Sequence, residues 1–139
     1  MLVLVLFGFS CKTHEQLLIQ KPAVELVGTY WKLVELNAQP LNNDKVDEIF
    51  VQLNADHTFK GFAGCNSFWG LFKTKDPQIK FSNTNRTKKM CDRYTTENEL
   101  IKAMESCEAY IINGARLHLI LMNGTTLCIF ESTSIKEKK

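Results

Sequence analysis

The sequence predicts an α+β domain that is mainly β: a compact antiparallel, barrel-like sheet of about seven or eight short strands with one packed helix over about residues 97–109. Three observations carry this. Short runs of β-forming residues with alternating apolar positions recur from Val27 to Ile129, separated by turn residues. One segment has apolar residues at helical spacing. Nowhere do strands and helices alternate in the rhythm of a parallel βαβ sheet.

The elements follow in order. Tyr30-Trp31-Lys32-Leu33-Val34-Glu35-Leu36 is rich in β-formers. Asn37 to Asp44 carries Asn, Pro and Asp and reads as a loop. Ile49, Val51 and Leu53 alternate with Phe50 and Gln52, as in a half-buried strand. Asn54-Ala55-Asp56-His57 reads as a turn, and Phe59-Lys60-Gly61-Phe62-Ala63 as the antiparallel return. Phe68 to Phe72 forms a further short strand, and Ile79 and Phe81 mark another after Asp76-Pro77. Thr96 with Glu99 is a capping box. Leu100, Ala103, Met104, Cys107 and Ile111 then share one helical stripe, with Lys102, Glu105 and Glu108 on the other side. Asn113-Gly114 and Asn123-Gly124 are hairpin signals between β-rich runs. The second lies in a terminal hairpin in which Leu117, Leu119 and Leu121 alternate with Arg116, His118 and Ile120, and Leu127 and Ile129 alternate with Cys128 and Phe130.

Composition bounds the function. The chain has 139 residues, 45% of them hydrophobic and 23% charged, which fits one globular domain. Its net charge of +2 is too small for a dedicated nucleic-acid binder. Five cysteines and three histidines offer no C-x₂₋₄-C spacing for zinc. A catalytic thiol needs a neighbouring His, and the sequence does not place His57 or His118 beside any cysteine. No catalytic residue, metal or cofactor is assigned.

The N-terminus points to a compartment. Residues 2–9, LVLVLFGF, are too short to span a bilayer and match the apolar region of a secretory signal. Gly8, Ser10 and Cys11 follow, then polar chain. This resembles the lipobox of a bacterial lipoprotein, in which the cysteine thiol takes a diacylglycerol and becomes the new N-terminus. No Lys or Arg precedes the apolar run, which fits a start upstream of Met1. Residues 1–10 are thus read as signal-like, 11–26 as a lipid-anchored tether, 27–131 as the domain and 132–139 as a basic tail. The other reading of residues 2–9 is a buried first strand; that of 12–26, an amphipathic turn docked on the domain.

A wider resemblance rests on motif order. Gly28-Thr29-Tyr30-Trp31-Lys32-Leu33 opens the domain. Phe59-Lys60-Gly61-Phe62-Ala63-Gly64-Cys65-Asn66-Ser67-Phe68-Trp69-Gly70 sits centrally, and Thr87-Lys88-Lys89-Met90-Cys91 and Glu97 follow. Leu117-His118-Leu119 and Leu127-Cys128-Ile129 close the series. This order resembles the META domain, or HslJ-like, family across about residues 27–131. Gly64, Cys65, Asn66, Gly70, Thr87 and Cys91 are its most specific positions. Phe72 departs from the family's usual Tyr, and Met90 abuts Cys91 where many members place one residue between. The resemblance implies a bacterial envelope protein, at the outer membrane or periplasmic face. It implies no enzymatic activity, and a link to stress or antibiotic tolerance.

With Cys11 assigned to lipid, four cysteines remain, and four allow three pairings. The resemblance favours Cys65 with Cys91. That bridge closes a loop of about 25 residues, worth roughly 3–3.5 kcal/mol by chain entropy. Cys107 and Cys128 then read as buried free thiols, with a second bridge between them as the alternative.

Two features bear on binding. Phe59, Phe62, Phe68, Trp69 and Phe72 crowd one stretch with Gly61, Gly64 and Gly70. They read either as a core packed on glycines or, for Phe62, Phe68, Trp69 and Phe72, as a cleft for an apolar ligand. Residues 73–93 hold seven basic side chains (Lys73, Lys75, Lys80, Arg86, Lys88, Lys89, Arg93) against Asp76 and Asp92, a local +5. They are either a solvated, edge-protecting stretch or a face for anionic headgroups or an acidic partner. The functional expectation is a non-enzymatic, lipid-anchored envelope domain that acts by binding. Its partners would be the membrane, through the lipid, and an envelope protein or small apolar ligand, with no nucleic acid. The alternative is a carrier of an apolar ligand or lipid in an aromatic-lined cavity.

Overall fold

A computed structural model describes residues 24–42, 49–92 and 94–133. The signal-like segment, Cys11 and most of the tether lie outside the described residues, as do Arg93 and residues 134–139.

The chain runs β1 (Tyr30–Leu36), β2 (Gln39–Pro40), β3 (Phe50–Leu53), β4 (Thr58–Phe62), β5 (Ser67–Lys75), β6 (Gln78–Arg86), α1 (Tyr94–Ser106), β7 (Ala109–Asn113), β8 (Arg116–Ile120) and β9 (Thr126–Thr133). All nine strands join one antiparallel sheet in the order β2-β1-β3-β4-β5-β6-β7-β8-β9, and β1 also pairs with β9, closing the sheet into a ring. The strand beyond the expected number is β2, two residues that fold back on β1 through Glu35↔Pro40 and Leu36↔Gln39. The fold-back lies inside the expected loop and turns through Asn37 and Ala38, both at positive φ, as a tight hairpin requires.

Pleat alternation sends the large side chains inward. Trp31, Leu33, Leu53, Phe59, Phe68, Phe72, Leu117, Leu119 and Phe130 are fully buried in one core. Burying each contributes about 1.5–3 kcal/mol. The Trp31 indole Nε1–H donates to Leu26 O at 2.9 Å, so its one polar group is satisfied. Leu26 is buried and Val24 packs on the same core, so these two residues, expected in the tether, belong to the folded unit. At the other end Ser132 and Thr133, expected in the tail, pair with Trp31 and Tyr30 in the ring closure.

Aromatic rings fill space that only glycine leaves. Gly61 lies opposite Phe68 and Gly70 opposite Phe59 across β4–β5. A Cβ at Gly61 would sit 2.4 Å from Phe50 O and 2.6 Å from the Phe68 ring. At Gly70 it would sit 2.8 Å from both the Phe59 ring and Ser82 O.

The helix begins earlier and ends sooner than its sequence signals suggest. Thr96 and Glu99 lie inside it, so they are not its capping box, and Glu97 belongs to its first turn. Leu100, Ala103, Met104 and Cys107 are buried as expected. Ile111 is half-exposed on β7, where the β-branched run Ile111-Ile112 pairs with β8 rather than continuing the helix. The β7–β8 turn is Gly114-Ala115, one residue later than expected: Asn113 pairs with Arg116, and Gly114 takes φ 60° at the first turn position. Asn123-Gly124 does close β8–β9, with Gly124 at φ 89°.

Two features of the sheet position its surfaces. The register shifts between Trp69 and Leu71, where Asn83 has φ 53°. Between β6 and β7 the ladder has a single residue pair, Gln78↔Ala109, and α1 packs against β6 and β9.

Candidate functional site

The described polar residues converge where three segments meet: the β4–β5 connection, the β6–α1 connection and the first turn of α1. Gly64, at φ 96°, lets the first connection turn back, and Ala63 N donates to Asn66 O at 2.9 Å. Asn66 is 1% exposed. Its Nδ2 donates to Lys89 O (3.3 Å) and Glu97 Oε1 (3.2 Å), while its Oδ1 accepts from Thr87 Oγ1 and Lys89 N (2.7 Å each). Two donors and two acceptor sites are all that an Asn side chain offers.

Glu97 is also 1% exposed. Its Oε2 accepts from the Asn66 backbone N at 3.2 Å, and its Oε1 from Arg86 Nη1 at 3.0 Å. Arg86 Nη1 also donates to Asn98 Oδ1 at 2.6 Å. The buried carboxylate is therefore compensated by a guanidinium and two N–H donors, and it sits in the helix's first turn, where the helix dipole favours negative charge.

Cys65 and Cys91 form a disulfide between the same two connections, with Cα atoms 6.2 Å apart. The motif positions Gly64, Cys65, Asn66, Thr87 and Cys91 are thus neighbours in a clamp. Gly70 is not among them; it serves the Phe59 ring on β5. Chemically the clamp is satisfied from within, because the chain's own donors occupy Glu97, which is 1% exposed. Sequence reasoning did not assign Arg86 to the cluster. In the sequence Glu97 stands out only as the acidic member of the motif series. Glu97 precedes Leu100 by three residues, so it lies on the buried stripe, and a carboxylate on an apolar stripe is the signal that finds it.

The four aromatics proposed for a cleft do not share one face. Phe68 and Phe72 point into the core at 1% and 2% exposure, whereas Trp69, between them on the pleat, is 46% exposed on the outer face. Phe62 is half-buried opposite Phe50. Period-two alternation divides the set. What the outer face carries is a shallow groove of about 400 Å³ beside Trp69 and Leu71, rimmed by Asn54, Thr58, Asn83 and Asn85.

Cys107 and Cys128 are free and buried. Burial pushes the Cys107 thiol up to about 12, and it donates to Met104 O at 3.1 Å. Burial, with Cys107 as a neighbour, pushes Cys128 up as well. Thiols held protonated in this way are poor nucleophiles. Among the described residues no three His, Cys, Asp or Glu side chains gather as a metal site.

The META domain family model matches residues 24–134. The chain belongs to the META domain family. Solved structures share the fold at low identity. One is an NMR structure of a protein from Burkholderia xenovorans, 21% identical, with TM-score 0.62, covering 78% of this chain and 84% of that one. A second NMR structure is 17% identical, with TM-score 0.61, covering 76% and 90%. A crystal structure of a DUF4847 family protein from Bacteroides vulgatus is 19% identical, with TM-score 0.55, covering 76% and 93%. No curated protein matches. In this META domain the motif residues that carried the resemblance form the disulfide-bound clamp and, at Gly70, a seat for an aromatic ring.

Proposed function

We propose that this META domain is a non-enzymatic envelope module, anchored by lipid on Cys11, that acts by binding on its outer surface. The observation that carries this reading is the division of labour just described. The polar cluster is buried and saturated by the chain itself, the aromatic interior is packed, and Trp69 and Leu71 stand exposed on one sheet face. A packed interior supports a surface binder over a carrier with an internal cavity. The apolar run ending at Gly8-Phe9-Ser10-Cys11 supports the anchor.

Metabolic labelling tests the anchor. Expressed with a bacterial signal region intact, the protein incorporates labelled palmitate and partitions with membranes, and the Cys11→Ser variant does neither. An unlabelled protein recovered in the soluble fraction overturns the anchor.

A further inference from the structure

The outward positions of β5 are Trp69, Leu71, Lys73 and Lys75, all exposed along one face. Neighbouring strands extend this stripe. Lys60 on β4 lies opposite Trp69, and Lys80 on β6 lies directly opposite Lys73. From Trp69 to Lys75 the stripe runs about 20 Å, with two apolar side chains at one end and lysines along the remainder.

Two facts set these lysines apart from ordinary surface charge. Lys73 and Lys80 form a like-charge cross-strand pair, an arrangement that weakens a sheet. Edge protection does not explain Lys60, Lys73 or Lys75 either, because β4 and β5 are paired on both sides within the ring; Lys80 alone lies on β6, whose ladder to β7 is a single residue pair. Among the described residues none of the four is ion-paired. Glu105 and Glu108 flank Lys73, Lys75 and Lys80 across a groove on the helix side, and Glu108 accepts a hydrogen bond from Met122 N at 2.7 Å. The rest of the basic stretch read from the sequence does not join this face: Arg86 is held by Glu97 and Asn98, and Lys88 and Lys89 lie on the β6–α1 connection.

We propose that the outer face of β4–β6 docks on an anionic phospholipid surface. Trp69 and Leu71 enter the interfacial layer, and Lys60, Lys73, Lys75 and Lys80 rest on headgroup phosphates. An exposed indole with a polar N–H suits the boundary between acyl chains and water, and lysine stems reach headgroups while keeping the ammonium hydrated. The charges of the face and the lipid are complementary. The proposal rests on the envelope reading for the presence of a bilayer, but not on lipidation of Cys11.

The test uses the full chain carrying Cys11→Ser and vesicles of phosphatidylcholine with or without 30% phosphatidylglycerol. Trp31 is fully buried and contributes a constant background, so a change in emission on adding vesicles reports Trp69. With phosphatidylglycerol present, the emission shifts to the blue and is quenched by acyl-brominated lipid; without it, or in 0.5 M salt, neither occurs. Lys73→Gln with Lys80→Gln lowers partitioning about 25-fold, at about fivefold per lysine, with the urea midpoint at or above that of the parent. Trp69→Phe loses the shift but still binds. No shift, a shift indifferent to phosphatidylglycerol or to the lysine pair, or equal binding to soluble dextran sulfate overturns the proposal. None of these outcomes bears on palmitate labelling, so the anchor and the docking face fail separately.

Discussion

Asn66 uses every hydrogen-bonding site of its side chain to hold three segments that local sequence does not bring together. Asn66→Ala leaves Thr87 Oγ1, Lys89 N and part of the Glu97 carboxylate without partners in a buried place, and unmet buried groups cost more than a made bond contributes. The expected loss is about 2–4 kcal/mol, read as a lower urea midpoint with unchanged slope. Glu97→Gln keeps the shape and most of the bonds, and Arg86, at 36% side-chain exposure, can turn to water. Its expected loss is smaller, about 1–2 kcal/mol. An equal or larger loss for Glu97→Gln means that charge, rather than hydrogen-bond count, holds the clamp. Asn66 was legible as a motif residue, but its partners were not, because Lys89 contributes only its backbone and Glu97 was masked by a plausible capping box.

The elements themselves were mostly legible, since pleat and helix periods are local properties. The alternation of β3 and that of Leu117 and Leu119 in β8 are found as read, Leu121 lies beyond β8, and β5 and β6 are longer than their apolar markers suggest. Where reading and structure differ, a neighbouring element decides: Ile111 pairs in β7 because β8 is there to receive it, and the first Asn-Gly turn shifts by one residue to suit the β7–β8 register. The clamp links two of these connections covalently. Reducing Cys65–Cys91 in the folded protein, or replacing both cysteines with Ala, is expected to cost about 3 kcal/mol, mostly through a freer unfolded chain. Thermal melts with and without reductant check this. A cost below about 1 kcal/mol means that the Asn66–Glu97 network alone fixes the connection.

At the scale of the whole molecule, the closed ring and its helix bury two thiols. Both have folded values raised above the ordinary thiol value of 9.0, Cys107 to about 12. A raised value means that the folded state holds the proton after the unfolded state has released it. The stabilisation is therefore complete below about pH 9 and is lost as pH rises from there through about 12. Each thiol adds a slope of at most about 1.4 kcal/mol per pH unit. Urea midpoints measured from pH 7 to 11 should be flat and then fall, and the fall should be shallower in Cys107→Ala. An unchanged limb in that variant assigns the alkaline loss to other groups. Burial also predicts that, with Cys11→Ser, a thiol reagent titrates no cysteine in the native protein and two after unfolding without reductant.

By itself the sequence determined the class of fold, the existence of the helix and, through family resemblance, the disulfide. These follow from side-chain period, turn chemistry and motif order, all written within a few residues or in a fixed series. Tertiary structure alone decided the rest. Pairing of β1 with β9 joins segments about a hundred residues apart and turns an alternating sheet into an enclosed one. Only once the ring closes does one pleat face become interior, so only then do Phe68 and Phe72 become core and Trp69 surface. Pairing of β4, β5 and β6 gathers Lys60, Lys73, Lys75 and Lys80 on one outer face, and packing of α1 against β6 brings Glu97 to Asn66. Strand periodicity distinguishes two faces of a sheet; which of them excludes water is settled by how the whole chain curves around its core.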